Sequence, residues 1–144
     1  MTVRLKKLDP RATLPRYGSA AAAGADLCAL ADAPITIAPA ETLLVHTGIA
    51  LEIPAGFVGL IYARSGLASK RGLAPANKVG VIDADYRGEI MVALHNHGSS
   101  VQTVENSERI AQLVIAPVFT PGFTEVESLS GTQRGAGGFG STGK

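Results

Sequence analysis

The chain has 144 residues, 46% of them hydrophobic and 17% charged, with a formal net charge of +1. This composition suits a single globular domain with one core, excludes a disordered chain and leaves no broad basic footprint for nucleic acid. The single cysteine, Cys28, rules out an intrachain disulfide and fits a reducing compartment. No apolar run is long enough for a transmembrane helix, so no membrane association is expected. The alanine-rich stretch Ser19–Ala33 is interrupted by Asp26 and Asp32 and is not read as a signal peptide, which makes the cytoplasm the expected location.

Glycine (17) and proline (8) punctuate the chain along its whole length, which favours many short strands over long helices. In chain order, Val3–Leu8 reads as a first strand. Alanine propensity would make 20–31 helical, but Gly18, Gly24 and Pro34 oppose a helix, and the segment is expected to be irregular or extended. Ile35–Ala38 and Thr42–Ile53 follow as strands, the second with a bulge or turn at Gly48. Phe57–Tyr62 is another strand. Gly66–Arg71 is expected to form one short helix closed by Gly72. Val79–Ile82 and Glu89–His95 flank Asp83-Ala84-Asp85-Tyr86-Arg87-Gly88 and read as a β-hairpin with an acidic turn. Val101–Val104 and Arg109–Val118 complete the clear strands, with Thr124–Val126 as a short addition. The expected fold is all-β, a jelly-roll-like barrel or sandwich with at most one short helix. It comprises one domain over 1–127 and a mobile glycine-rich tail over 128–144.

Five segments carry candidate chemistry. In the tail, Arg134 and Phe139 stand among glycines, followed by Gly140, Ser141 and Thr142. Glycine backbone amides can converge on an anion, the guanidinium suits phosphate, and an aromatic with no core to join suits stacking on a base. The P-loop pattern that ends at Lys144 has no Ser or Thr after the lysine and is rejected. Asp83 and Asp85 supply one candidate general base and one turn former, and Tyr86 beside them can pack on a sugar. A calcium loop is excluded there, because Arg87 and Leu94 occupy ligand positions. Arg64, Ser65 and Gly66 at a helix start form a compact phosphate site. Gln112, in the strand opened by Glu108 and Arg109, can donate to a phosphate oxygen. Asp26 is an acid in an apolar setting, suited to a metal-bound water or a nearby arginine. His95 and His97 share a strand face but have no evident third ligand, so zinc is not expected, and His46 reads as structural.

These five pieces, in this order, resemble the motifs of the trimeric dUTPase family, most specifically GVIDADYRG (Gly80–Gly88) and RGAGGFGSTG (Arg134–Gly143). The resemblance implies a jelly-roll homotrimer that hydrolyses dUTP to dUMP and pyrophosphate with Mg²⁺, which keeps uracil out of DNA and supplies dUMP for thymidylate synthesis. It implies Asp83 as the base that deprotonates the attacking water and Tyr86 against the deoxyribose. Asn77 and the backbone of Val81, Ile82 and Asp83 would contact uracil, with Met91 near the nucleotide. Arg64, Ser65, Gly66 and Gln112 would contact phosphate, and Arg134, Phe139, Gly140, Ser141 and Thr142 would close over the substrate. Asp26 would meet the metal's water shell. The related dCTP deaminases carry a catalytic glutamate where this chain has Ala93, and their hairpin reads Asp-Pro-Gly-Trp, so deamination is not expected. A non-catalytic nucleotide-binding module would lack the base or the tail, both present here, and a capsid-like structural jelly roll would not need the clustered chemistry.

Overall fold

The computed structural model of the chain describes residues 1–139. Its elements run β1 (Arg4–Lys7), β2 (Arg16–Tyr17), β3 (Ala25–Cys28), β4 (Ile35–Ile37), β5 (Thr42–Glu52), β6 (Phe57–Ala63), α1 (Ser65–Arg71), β7 (Leu73–Pro75), β8 (Gly80–Ile82), β9 (Glu89–Asn96), β10 (Gln102–Val104) and β11 (Arg109–Pro117). A four-stranded sheet in the order β1-β5-β9-β7 faces a five-stranded sheet in the order β2-β3-β11-β6-β8, and β4 and β10 form a small third sheet. From β5 to β9 every successive strand changes sheet. The result is a β-sandwich of jelly-roll type, as the sequence led us to expect.

Strand periodicity explains the core. In β9, Ile90, Val92, Leu94 and Asn96 point inward while Glu89, Met91, Ala93 and His95 point outward. The inward set meets Val45, Ile49 and Leu51 of its own sheet, and Leu27, Ile61, Ile82, Ile110 and Leu113 from the other, in one continuous cluster. Asn96 is fully buried, yet its amide is satisfied. Nδ2 donates to the Ile37 and Ser100 carbonyls, and Oδ1 accepts from the Gly98 N–H at 2.9 Å. Gly48 is the expected bulge: the β5–β9 register shifts between His46 and Ala50, and the glycine has φ +69°. Helix α1 closes at Gly72, which has φ 67° and donates its N–H to the Ala68 carbonyl.

Two expectations need correction. Val79–Ile82 and Glu89–His95 do not form a hairpin: β8 pairs with β6 and β9 pairs with β5 and β7, so residues 83–88 carry the chain from one sheet to the other. Thr124–Val126 forms no strand, since no neighbouring edge takes its hydrogen bonds and the segment is exposed. The 20–31 segment is irregular and extended as expected, and its extended part is a fully buried strand, β3, paired to β11, with the two-residue β2 added outside it.

Candidate active site

The segment that crosses between the sheets builds a recess of about 250 Å³. Its walls are Asn77, Gly80, Val81, Ile82, Asp83 and Tyr86 on one side, and Glu89, Met91, Ala93 and Leu44 on the other. β8 is the edge of the five-stranded sheet, so among the described residues its outer backbone N–H and C=O groups have no strand partner and are free for a ligand. Gly80 lets the wall close up, because a Cβ there would stand 3.1 Å from the Ile61 Cβ and 3.4 Å from the Asn77 amide nitrogen. The turn is fixed by the Tyr86 N–H donating to the Asp83 carbonyl and by the Arg87 guanidinium donating to the Ala84 and Tyr86 carbonyls. This geometry separates the two acids that the sequence left paired. Asp83 faces the recess, whereas Asp85 lines a different surface groove with Arg4, Glu52 and Arg87. The recess is below the usual range of about 300–1,000 Å³ for sites that enclose a drug-sized ligand. It suits a base and sugar whose remaining groups lie outside.

A second cluster forms where β3, β11 and the start of α1 meet. Asp26, 8% exposed, stands opposite Gln112 in the β3–β11 ladder and opposite Arg16 of β2. Its Oδ1 accepts from Arg64 Nε at 2.9 Å and from the Gln112 amide at 3.5 Å, and its Oδ2 accepts from Arg109 at 3.1 Å. Arg64 occupies the N-cap position of α1 but makes no cap bond, and its guanidinium turns to Asp26 instead. Three arginines around one carboxylate leave an excess of positive charge, which favours an anion. Ser65 and Gly66 are exposed beside them. The thiol of Cys28, also in β3, is pushed up by burial and by the Asp26 charge.

The recess and the arginine cluster share no lining residue. In the five-stranded sheet, β8 is separated from β3 by β6 and β11, a distance of three strand spacings or roughly 14 Å. The structure therefore brings together Asn77, Val81, Ile82, Asp83, Tyr86 and Met91, and separately Asp26, Arg64 and Gln112. Arg134 joins neither group, since its Nε donates to the Gly137 carbonyl at 2.7 Å within its own loop. Phe139 is fully exposed. Gly140, Ser141 and Thr142 lie outside the described residues.

A family model described as dUTPase matches residues 10–143. The chain belongs to the dUTPase family. It is 49% identical to the deoxyuridine 5'-triphosphate nucleotidohydrolase of Janthinobacterium sp. (strain Marseille), covering 99% of this chain and 98% of that protein. It is 50% identical to the protein of the same name from Nautilia profundicola over the full length of both. Among solved structures it resembles the Staphylococcus bacteriophage 80alpha dUTPase with dUPNHPP, at a TM-score of 0.91 and 31% identity, covering 99% of each chain.

Within this dUTPase fold, sequence reasoning passed over Arg109 and Arg16. Arg109 lies in the segment singled out for Gln112, and its one-residue offset from the β11 bulge aims it at Asp26. It also passed over Glu89, which lines the recess. The rings of His95 and His97 meet edge-on with centroids 4.3 Å apart, and His95 is hydrogen-bonded to Thr42. Among the described residues no group of three His, Cys, Asp or Glu is placed to hold a metal ion.

Proposed function

We propose that this chain hydrolyses dUTP to dUMP and pyrophosphate, keeping uracil out of DNA and supplying dUMP for thymidylate synthesis. The observation that carries the reading is the base-sized recess against the free edge of β8, with Asp83 and Tyr86 at its mouth. Backbone groups of Val81, Ile82 and Asp83 and the amide of Asn77 pair with the uracil edge. Cytosine would leave these donors and acceptors mismatched, which a buried polar site discriminates strongly. Tyr86 packs on the deoxyribose and Met91 flanks the nucleotide. Arg64, Ser65, Gly66 and Gln112 take the phosphates, and the net positive charge beside Asp26 supports this assignment.

Asp83 accepts a proton from water as the water oxygen bonds to the α-phosphorus. The α–β bridging bond then breaks and pyrophosphate leaves. The Asp83 carboxylate is exposed, and no described residue hydrogen-bonds it, so it is free for this role. Mg²⁺ would neutralise the triphosphate. Asp26 fits its outer water shell through Oδ2, which keeps a lone pair beyond the one given to Arg109, while Oδ1 is engaged by Arg64 and Gln112. Asp26 on β3 stands three strand spacings, roughly 14 Å, from β8 and Gln112 on β11 two, roughly 10 Å, and this offset favours composite sites in a homotrimer, with base and phosphate pockets drawn from different copies. Residues 128–144, as a tail distinct from the 1–127 domain, would then close over the substrate. Arg134, Gly140, Ser141 and Thr142 would lie on the phosphates and Phe139 on the base. Ala93 presents only a methyl group to the recess where a dCTP deaminase would need its glutamate.

The test is Asp83→Asn. It should keep the fold and bind a non-hydrolysable dUTP analogue, while turnover drops by about 10²–10⁴. Normal turnover would remove Asp83 from the reaction.

A further inference from the structure

Tyr86 is held by something other than its own turn. Its hydroxyl donates to the Glu89 carbonyl at 3.0 Å, and its ring lies directly over Gly88. A Cβ at position 88 would stand 2.3 Å from the Tyr86 Oη and 2.6 Å from Cζ, so any side chain there would displace the ring. Glu89 is in turn anchored from the opposite side. Its Oε1 accepts from the Gly48 N–H at 2.7 Å and its Oε2 is bonded to His46 Nδ1 at 2.8 Å. Both anchors belong to the β5 bulge, which cannot easily shift. Gly48 has φ +69°, its would-be Cβ lies 2.6 Å from Leu30 and 2.9 Å from Ala12, and its carbonyl accepts from the Leu8 N–H. Thr47, between the two anchors, is buried and donates its hydroxyl to the Ile90 carbonyl.

A continuous line of contacts therefore runs from the β5 bulge through the Glu89 carboxylate and backbone to the Tyr86 hydroxyl and ring. Glu89 is the first residue of β9, where the chain enters the second sheet, and this is the point at which an unanchored turn would be free to swing. Its side chain is 20% exposed, sheltered enough for the two bonds to hold it.

We propose that Glu89 is a positioning residue for Tyr86, through which the His46–Gly48 bulge sets how sharply the site separates deoxyribose from ribose. The inference rests on the reading above that Tyr86 packs on the sugar. Both carboxylate oxygens of Glu89 are bonded to the bulge, to Gly48 and to His46, which assigns it a positioning role rather than a part in the reaction.

The experiment compares kcat/KM for dUTP and UTP in the full-length wild type, Glu89→Ala, Glu89→Gln, His46→Ala, Tyr86→Phe and the Glu89→Ala/Tyr86→Phe double variant. Glu89→Ala should lower the dUTP-over-UTP ratio by about tenfold, equivalent to about 1.4 kcal/mol. Glu89→Gln keeps an acceptor for the Gly48 N–H and should retain most of the ratio. His46→Ala, at an exposed side chain, removes one anchor without threatening the fold and should shift the ratio in the same direction by less. The double variant should discriminate no worse than Tyr86→Phe alone, because both changes act through one bond. A strong wild-type ratio left unchanged by Glu89→Ala and His46→Ala would overturn the positioning role alone, as would additive losses in the double variant. A wild-type ratio near one would overturn the sugar assignment of Tyr86 together with it.

Discussion

Replacing Asp26 with alanine removes the carboxylate that both Arg64 and Arg109 bond, and its cost can be worked from the partners' exposure. The bond from Arg64 is between side chains 24% and 10% exposed, a setting in which a hydrogen bond to a charged group contributes about 1.5–3 kcal/mol. Arg109 is 57% exposed, and a pair of that kind contributes about 0–1 kcal/mol. Together the loss is about 2–4 kcal/mol. At roughly 2–4 °C per kcal/mol for a chain of this size, the melting temperature should fall by roughly 5–15 °C. Thermal unfolding followed by circular dichroism at fixed protein concentration measures it. Arg109→Ala, which removes only the weaker bond, should cost less than about 1 kcal/mol. With Arg64 no longer oriented, KM for dUTP should also rise in Asp26→Ala. A melting temperature within about 2 °C of wild type for Asp26→Ala, or a larger fall for Arg109→Ala, would refute the assignment of Asp26 as the organiser of this cluster.

Gly72→Ala places a side chain at φ 67° with its Cβ 2.8 Å from the Gly98 nitrogen. Denaturant titration should show a loss of about 1–3 kcal/mol, while the rate with dUTP, measured where the variant is folded, stays at the wild-type level. Acid should weaken the fold through two carboxylates. Hydrogen bonds from the Arg11 side chain and backbone lower Asp9 from 3.8 to about 2. At Glu89 burial acts to raise the carboxyl, and bonds from His46 and Gly48 outweigh it and hold it below its ordinary 4.5. Both are depressed in the fold, so their stabilisation is fully present above the ordinary carboxylate values and is lost as pH falls through the folded ones. The denaturation midpoint should therefore decline from about pH 4.5 downward, and the decline should flatten in an Asp9→Asn/Glu89→Gln variant. An unchanged slope would show that neither group carries the effect.

Much of the architecture was legible because strands of this fold advertise themselves locally. The alternation of Ile90, Val92 and Leu94 with Met91, Ala93 and His95 gives β9 and its inward face, and a glycine inside an apolar run gives the Gly48 bulge. Pairing is not local, however. The turn at 83–88 looked like a hairpin because its residues are turn formers, yet the flanking strands serve different sheets. The converse error was Thr124–Val126, whose β-propensity finds no partner. β7 had no place among the expected strands; its Pro75 is tolerated because β7 is a sheet edge. For the site, Asp83, Tyr86, Asn77 and Met91 could be placed together by resemblance to a family motif. The Asp26–Arg64–Arg109 cluster and the Glu89 anchor join residues 38 to 83 and 41 to 43 positions apart, and only the fold makes them neighbours.

The most direct test of the central claim is pyrophosphate release with Mg²⁺ from dUTP, dTTP, dCTP and UTP, measured side by side on the wild-type chain. Release confined to dUTP is the predicted result, since on the proposed assignment only that substrate would satisfy both the uracil edge along β8 and the sugar wall at Tyr86. Equal release from all four, or ammonia rather than pyrophosphate from dCTP, would contradict it.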